Sequence, residues 1–232
     1  MKTTTTPATR KMTIVLLIII VVIGTLTAAR AQYGGYNLKN RLYIGAELAG
    51  SGRGFNISSN LPQINNLNAS FFGGTAGLVL GNCYGKVKAN VGSFNSDPSV
   101  PYSIDLVQGS VSGNVYFLRL ANLKAHLFEP YVSVGLSRQQ TKFYGSYVPD
   151  QSVTISSSTS LPMIGEVVTN RAMVAAGVEY QLESDTNHFI HLFAEAGYGM
   201  ALSGSGSNAA FSQTTTSASH WISVGVSFGI IK

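Results

Sequence analysis

Charge is what this chain of 232 residues has least of. Asp, Glu, Lys and Arg make up 11% of it, against about 25% in ordinary soluble domains. Such residues normally form the water-facing surface, so their shortage argues against a fully solvated domain of this length. The formal charge of +5 does not make the chain basic. Lys2, Arg10, Lys11 and Arg30 all precede Gln32, which leaves 11 basic residues against 10 acidic ones in the remainder. No basic cluster is left to grip a phosphate backbone, so nucleic acid is not an expected partner. The lone cysteine, Cys83, excludes an internal disulfide, and only Lys86 nearby resembles an activating group for a thiol. The four His are scattered without ligand spacing, so neither a metal nor another cofactor is expected. Long apolar runs are also scarce: one occurs, at residues 12–26, and no later segment is long enough to cross a bilayer as a helix.

That run, MTIVLLIIIVVIGTL, follows Lys2, Arg10 and Lys11 and precedes the small-residue segment TAARA at 27–31. The layout is that of a secretory signal with an A-x-A cleavage site and Gln32 as first mature residue. At about 15 residues the run is short for a spanning helix, which needs about 20. The expected organisation is a signal peptide at 1–31, a short segment at 32–40 and one domain at 41–232, exported through the Sec pathway.

What the mature part has in quantity is alternation. From Ile222 onward, Ile222, Val224, Val226, Phe228 and Ile230 fall on one face, with Ser223, Gly225, Ser227 and Gly229 on the other. Such a period of two marks a strand between two different surroundings. The pattern recurs at 41–51, 70–81, 85–94, 104–118, 130–141, 171–182 and 188–200, which makes eight strands with 220–232. Connections run long, short, medium, short, long, short, long, the rhythm of an up-and-down barrel with turns on one rim and loops on the other. A soluble barrel would turn its aliphatic face inward and show water a charged exterior. Here the second face is glycine and serine, which suits a narrow lumen, so the aliphatic face is assigned to lipid. Phe72, Phe117, Tyr180, Tyr198 and Phe228 lie on that face near strand ends, where a membrane barrel carries aromatic girdles. Ordinary β-preference also places aromatics in strands. The fold class is therefore all-β, an eight-stranded antiparallel transmembrane barrel. Trp221 has lumen parity where girdle parity would be expected.

The segments EPYVSVGLS (129–137), AAGVEYQL (175–182), FAEAGYG (193–199) and the closing strand resemble the small outer-membrane β-barrels of Gram-negative bacteria, the OmpA/OmpX-like group. The resemblance covers 41–232. It implies residence in the outer membrane, contact with its lipids and lipopolysaccharide, and insertion by the barrel assembly machinery, as a monomer. In that group the last strand usually ends in an aromatic residue, whereas here Phe228 is followed by Gly-Ile-Ile-Lys.

Parity sends Glu47, Lys86, Lys88, Glu179, His191 and Glu195 into the lumen. Counting back from a turn at Asp185 sets Glu179 opposite His191, readable as an acid–base pair, part of an ion path or a neutralising pair. Arg138 and Lys142, two and six residues beyond Leu136, reach the outer rim as candidate lipopolysaccharide contacts or simple loop-base charges. His220 and Ser223 are three apart on a strand, hence on opposite faces, which argues against a catalytic pair. The expected function is non-enzymatic, structural or surface-binding through the outer loops. A small-solute pore and a lipid-modifying enzyme are the alternatives.

Overall fold

The computed structural model describes residues 42–59, 67–82, 84–96, 103–120, 128–145, 163–184, 187–207 and 211–232. The expected signal peptide, the segment 32–40 and Cys83 lie outside these residues. The strands are β1 (Tyr43–Ser58), β2 (Leu67–Gly81), β3 (Gly85–Ser96), β4 (Ser103–Tyr116), β5 (Phe128–Tyr144), β6 (Met163–Ser184), β7 (His188–Gly206), the two-residue β8 (Thr215–Thr216) and β9 (Ser219–Ile231). One four-residue helical turn, α1 (Phe117–Leu120), follows β4. Each long strand pairs antiparallel with its neighbour in sequence, and β1 pairs with both β2 and β9. The sheet is thereby closed, with eight staves in the ring and β8 as a short addition beside β1. Closure leaves no open edge in the ring, the condition lipid imposes on any strand-built span.

The burial pattern carries the same period of two. Leu42, Ile44, Leu48, Leu78, Leu80, Val87, Val91, Val111, Val134, Leu136, Ile222 and Val224 are exposed on the outside. Glu47, Lys86, Lys88, Glu179 and His191 are buried inside. This inverts a soluble domain, and it is stable only if the outer surroundings are apolar. Within the β2–β3 connection, Asn82 Oδ1 accepts from the Tyr84 and Gly85 amides at 2.9 and 3.2 Å, the side-chain-to-backbone turn for which Asn is favoured.

The strands run further than the sequence reading placed them. Residues 52–58, 67–69, 142–144, 163–170 and 201–206 lie outside the ranges that alternation predicts and are strand. In these outer ends the facing code reverses. Phe55, Ile57, Phe71, Phe94, Ile104, Leu106, Phe143 and Val167 point inward and are buried, while Asn56, Ser58, Asn68, Ser70 and Asn95 are exposed. A 16-residue strand such as β1, at about 3.3 Å per residue and a tilt of about 40°, rises about 40 Å, well beyond the roughly 25 Å apolar band. The outer ends are thus built as a water-facing barrel with an apolar core, seated on a membrane barrel with a polar one.

Candidate functional site

The lumen is layered. At the inner end Tyr43, Val79, Phe189 and Ile231 form an apolar cluster, with the Tyr43 and Phe189 rings edge-on at 4.8 Å. Above it lies the charged layer. Lys86 Nζ bonds Glu179 and stands 3.7 Å from Glu47 Oε2. Lys88 Nζ lies 3.3 Å from Glu47 Oε1 and 3.4 Å from Glu195 Oε2. Charges therefore alternate along one chain, Glu179, Lys86, Glu47, Lys88, Glu195, contributed by β6, β3, β1, β3 and β7. Neutral donors complete the carboxylates. Tyr116 donates to Glu179 at 2.5 Å, Tyr131 to Glu195 at 3.1 Å, and Asn90 and Ser227 to Glu47 at 3.2 and 3.1 Å. Lys88 also lies over the Phe193 ring, 4.9 Å from its centroid. Buried charges hold this way only when each is paired and hydrogen-bonded.

All six lumen residues read from parity are inward, and five of them make up the ion chain. The sixth, His191, sits with Nδ1 at 3.6 Å from Glu179 Oε2. Their register differs from the expected one: His191 faces Gln181, and Glu179 faces Phe193. The expected pairing centres the turn on Asp185, whereas the ladder pairs Ser184 with Phe189 and so centres it one to two residues later; the bulge between Gln181 and Glu183 takes back one residue of that offset.

Above the charges, the Arg53 guanidinium donates to Gln108 Oε1 at 2.6 Å and lies between the rings of Phe94 and Trp221, 4.4 and 5.6 Å from their centroids. Trp221 points inward and places Nε1 3.4 Å from Glu195 Oε1. Gly197 opposite makes room, since a Cβ there would run into the indole. Beside this layer a cavity of about 40 Å³, walled by Arg53, Lys88, Asn90, Ser110, Ser112 and Ser133, has room for about three waters.

The outer end is closed by the apolar plug of Phe55, Ile57, Ala69, Phe71, Phe94, Ile104, Leu106, Phe143, Val167 and Phe211. Phe55 stacks on Phe71 at 4.8 Å, and Phe211 comes in from the β7–β8 connection to meet Phe143 at 5.1 Å. Arg171 ties down β8 and the residue after it. Its guanidinium donates to the Ser217 carbonyl and to Thr216 Oγ1, each at 2.6 Å. Ser59 bonds Thr214 at 2.7 Å. Arg53, Tyr116, Tyr131 and Arg171 escaped the sequence reading of the site. Extending the β1 parity past Ser51 would have placed Arg53 inside.

On the outside, Phe72, Tyr198, Phe117 and Phe228 are exposed, Tyr180 is half-buried, and its ring lies 4.7 Å from that of Phe128. Arg138 is exposed, opposite Gly109 and Asn170. Lys142 is half-buried, opposite Asp105 and Glu166. His220 is exposed and covers Gly54, whereas Ser223 faces inward and donates to Ser51 at 2.9 Å.

No protein-family model matches the chain, and no curated protein matches it in sequence. Its shape matches solved structures. Neisserial surface protein A aligns over 82% of this chain and 98% of its own, with a TM-score of 0.51 at 15% identity. The N-terminal β-barrel domain of OprF from Pseudomonas aeruginosa covers 82% and 98% at a TM-score of 0.38 and 16% identity. Ail of Yersinia pestis covers 84% and 99% at 0.40 and 12%. At such identities the likeness is one of architecture. Together, the closed ring, the aliphatic exterior and the charged interior make this chain a small eight-stranded β-barrel of the outer-membrane type.

Proposed function

We propose that the protein is a non-enzymatic barrel of the outer membrane that acts through its outer surface, as a structural or surface-binding element. The observation that supports this most is the double closure of the lumen. An ion-paired layer fills its middle and an apolar plug of aromatic and aliphatic side chains fills its outer end, so the interior serves stability. Eight strands give a bore that side chains can fill. What remains for interaction is the outer loops and rim, where a rigid scaffold carries specificity. The outer-leaflet partner is lipopolysaccharide, and insertion depends on the barrel assembly machinery.

Two measurements test this reading. Planar-bilayer recordings of the refolded chain should give no stable openings, and a steady conductance would sink it in favour of the pore. Cells displaying the full chain should bind their surface target, and replacing residues 146–162 with a Gly/Ser segment of equal length should abolish binding while the barrel stays heat-modifiable. Turnover of labelled lipid by the intact chain, lost in a His220→Ala or His191→Ala variant, would favour the enzyme instead.

A further inference from the structure

Two arginines stand in the outer half of the lumen, Arg171 fully buried and Arg53 half-buried. Their hydrogen bonds all go to neutral acceptors: Gln108 Oε1 for Arg53, and Thr216 Oγ1 and the Ser217 carbonyl for Arg171. Among the described residues neither arginine forms a salt bridge. The Nε of each is buried without a hydrogen-bond partner. The two share one layer. Trp221 lies 5.6 Å from the Arg53 guanidinium, and a Cβ on Gly199 would stand 3.6 Å from both the Trp221 ring and the Arg171 side chain.

The charged layer beneath does not answer both charges. Its five members are three carboxylates and two ammoniums, so its surplus balances one arginine and leaves the other. A further buried carboxylate, Glu129, lies opposite Glu179, four residues nearer the inner rim than Ser133 and so about 13 Å below it. Glu47 and Glu195 do face the cavity, but both oxygens of each are engaged. Glu47 Oε1 meets Lys88 and Asn90, and Oε2 meets Lys86 and Ser227. Glu195 Oε2 accepts from Lys88 and Tyr131, and Oε1 faces Trp221 Nε1.

The cavity of about 40 Å³ runs from Arg53 to Lys88. On β4, Gln108, Ser110 and Ser112 are successive inward residues, so two hydroxyls follow the group that holds Arg53. Ser133 on β5 adds a third. No other protein group among the described residues engages these three hydroxyls, and a hydroxyl turns freely to donate. Guanidinium, ammonium and hydroxyls thus present donors to one small space. A cation there would face Arg53 and Lys88, and water alone would leave the surplus charge unbalanced.

We propose that this cavity binds one small monovalent anion of the size of chloride, held by Arg53, Lys88, Ser110, Ser112 and Ser133. Room for about three waters admits such an ion with residual hydration and excludes an organic anion. The ion supplies the negative charge that buried cations require. It continues the alternation of charge from Lys88 up to the arginines.

The test unfolds the refolded full chain in urea, followed by Trp221 fluorescence, at constant total sodium salt. Replacing gluconate by chloride, from about 5 mM to about 500 mM, should raise the midpoint by about 1 to 2 M for a site that chloride saturates. Bromide should act as chloride does. Arg53→Gln should abolish the rise, the Ser110→Ala and Ser112→Ala pair should reduce it, and Lys142→Gln, outside the lumen, should keep it. Direct detection needs no variant: wild-type crystals grown in sodium bromide should show one anomalous peak within hydrogen-bond reach of Arg53 and Ser110. A wild-type midpoint indifferent to chloride would overturn the site, as would an equal rise in Arg53→Gln and in the serine pair. Bromide crystals with no peak in the lumen would overturn it as well.

Discussion

Glu47→Gln is the sharpest probe of the charged layer. Glu47 is buried and is the only carboxylate in the chain of charges that touches both Lys86, at 3.7 Å, and Lys88, at 3.3 Å. At an effective dielectric of about 20, each such pair is worth about 4 to 5 kcal/mol before desolvation. Removing one partner of a buried pair generally costs about 3 to 5 kcal/mol. Two features reduce that here: Lys86 keeps Glu179 and Lys88 keeps Glu195, and glutamine keeps one acceptor oxygen for Asn90 while the Ser227 hydroxyl can turn to accept from the new amide nitrogen. The expected loss is about 2 to 3 kcal/mol. With a urea slope of about 1.5 kcal/mol per molar, the midpoint falls by about 1 to 2 M. Trp221, the single tryptophan, reports on this layer through its contact with Glu195, so its fluorescence follows the unfolding of protein refolded into vesicles. Adding Lys88→Gln removes the cation that Glu47 had balanced, and the double variant should lose about 1 to 2 kcal/mol less than the sum of the singles. A Glu47→Gln midpoint unchanged from wild type, or simple additivity of the two changes, would refute an ion-paired lumen.

Other outcomes follow from the same layering. Gly197→Val should destabilise the barrel by about 1 to 3 kcal/mol, because the new side chain meets the Trp221 ring, and the Trp221 emission should shift in the folded state. Phe211→Ala should cost about 3 kcal/mol at the plug and speed protease cleavage between residues 207 and 218, detected by mass spectrometry. Leu78→Gln, at an exposed position of the lipid face, should impair refolding into vesicles more than Ser70→Gln on the outer extension of the same strand, measured by the heat-modifiable fraction.

Much of this was legible because alternation needs no tertiary information. Ile222 to Ile230 and Val174 to Leu182 declare their faces one residue at a time, and the lumen charges follow from parity alone. The outer strand ends were not legible as strand. Gly52, Arg53, Gly54 and Asn56 read as loop composition, and the inward pair Phe55 and Ile57 is interpretable only once the apolar face is known to have changed sides at the membrane boundary. The register of His191 was hidden because composition does not fix the centre of the β6–β7 turn, which the ladder places after Asp185. The neighbours of Lys142 were hidden by distance in sequence, since Asp105 and Glu166 are set opposite it only by the ladders of β4 and β6.

The central claim is which face meets lipid, and quenching by brominated acyl chains measures it directly. In vesicles of brominated phosphatidylcholine, Trp221 of the refolded chain, which faces the lumen, should keep nearly its full emission. A Leu78→Trp substitution made in a Trp221→Phe background should be strongly quenched. Strong quenching of Trp221 with little quenching at position 78 would turn the barrel inside out and contradict the account.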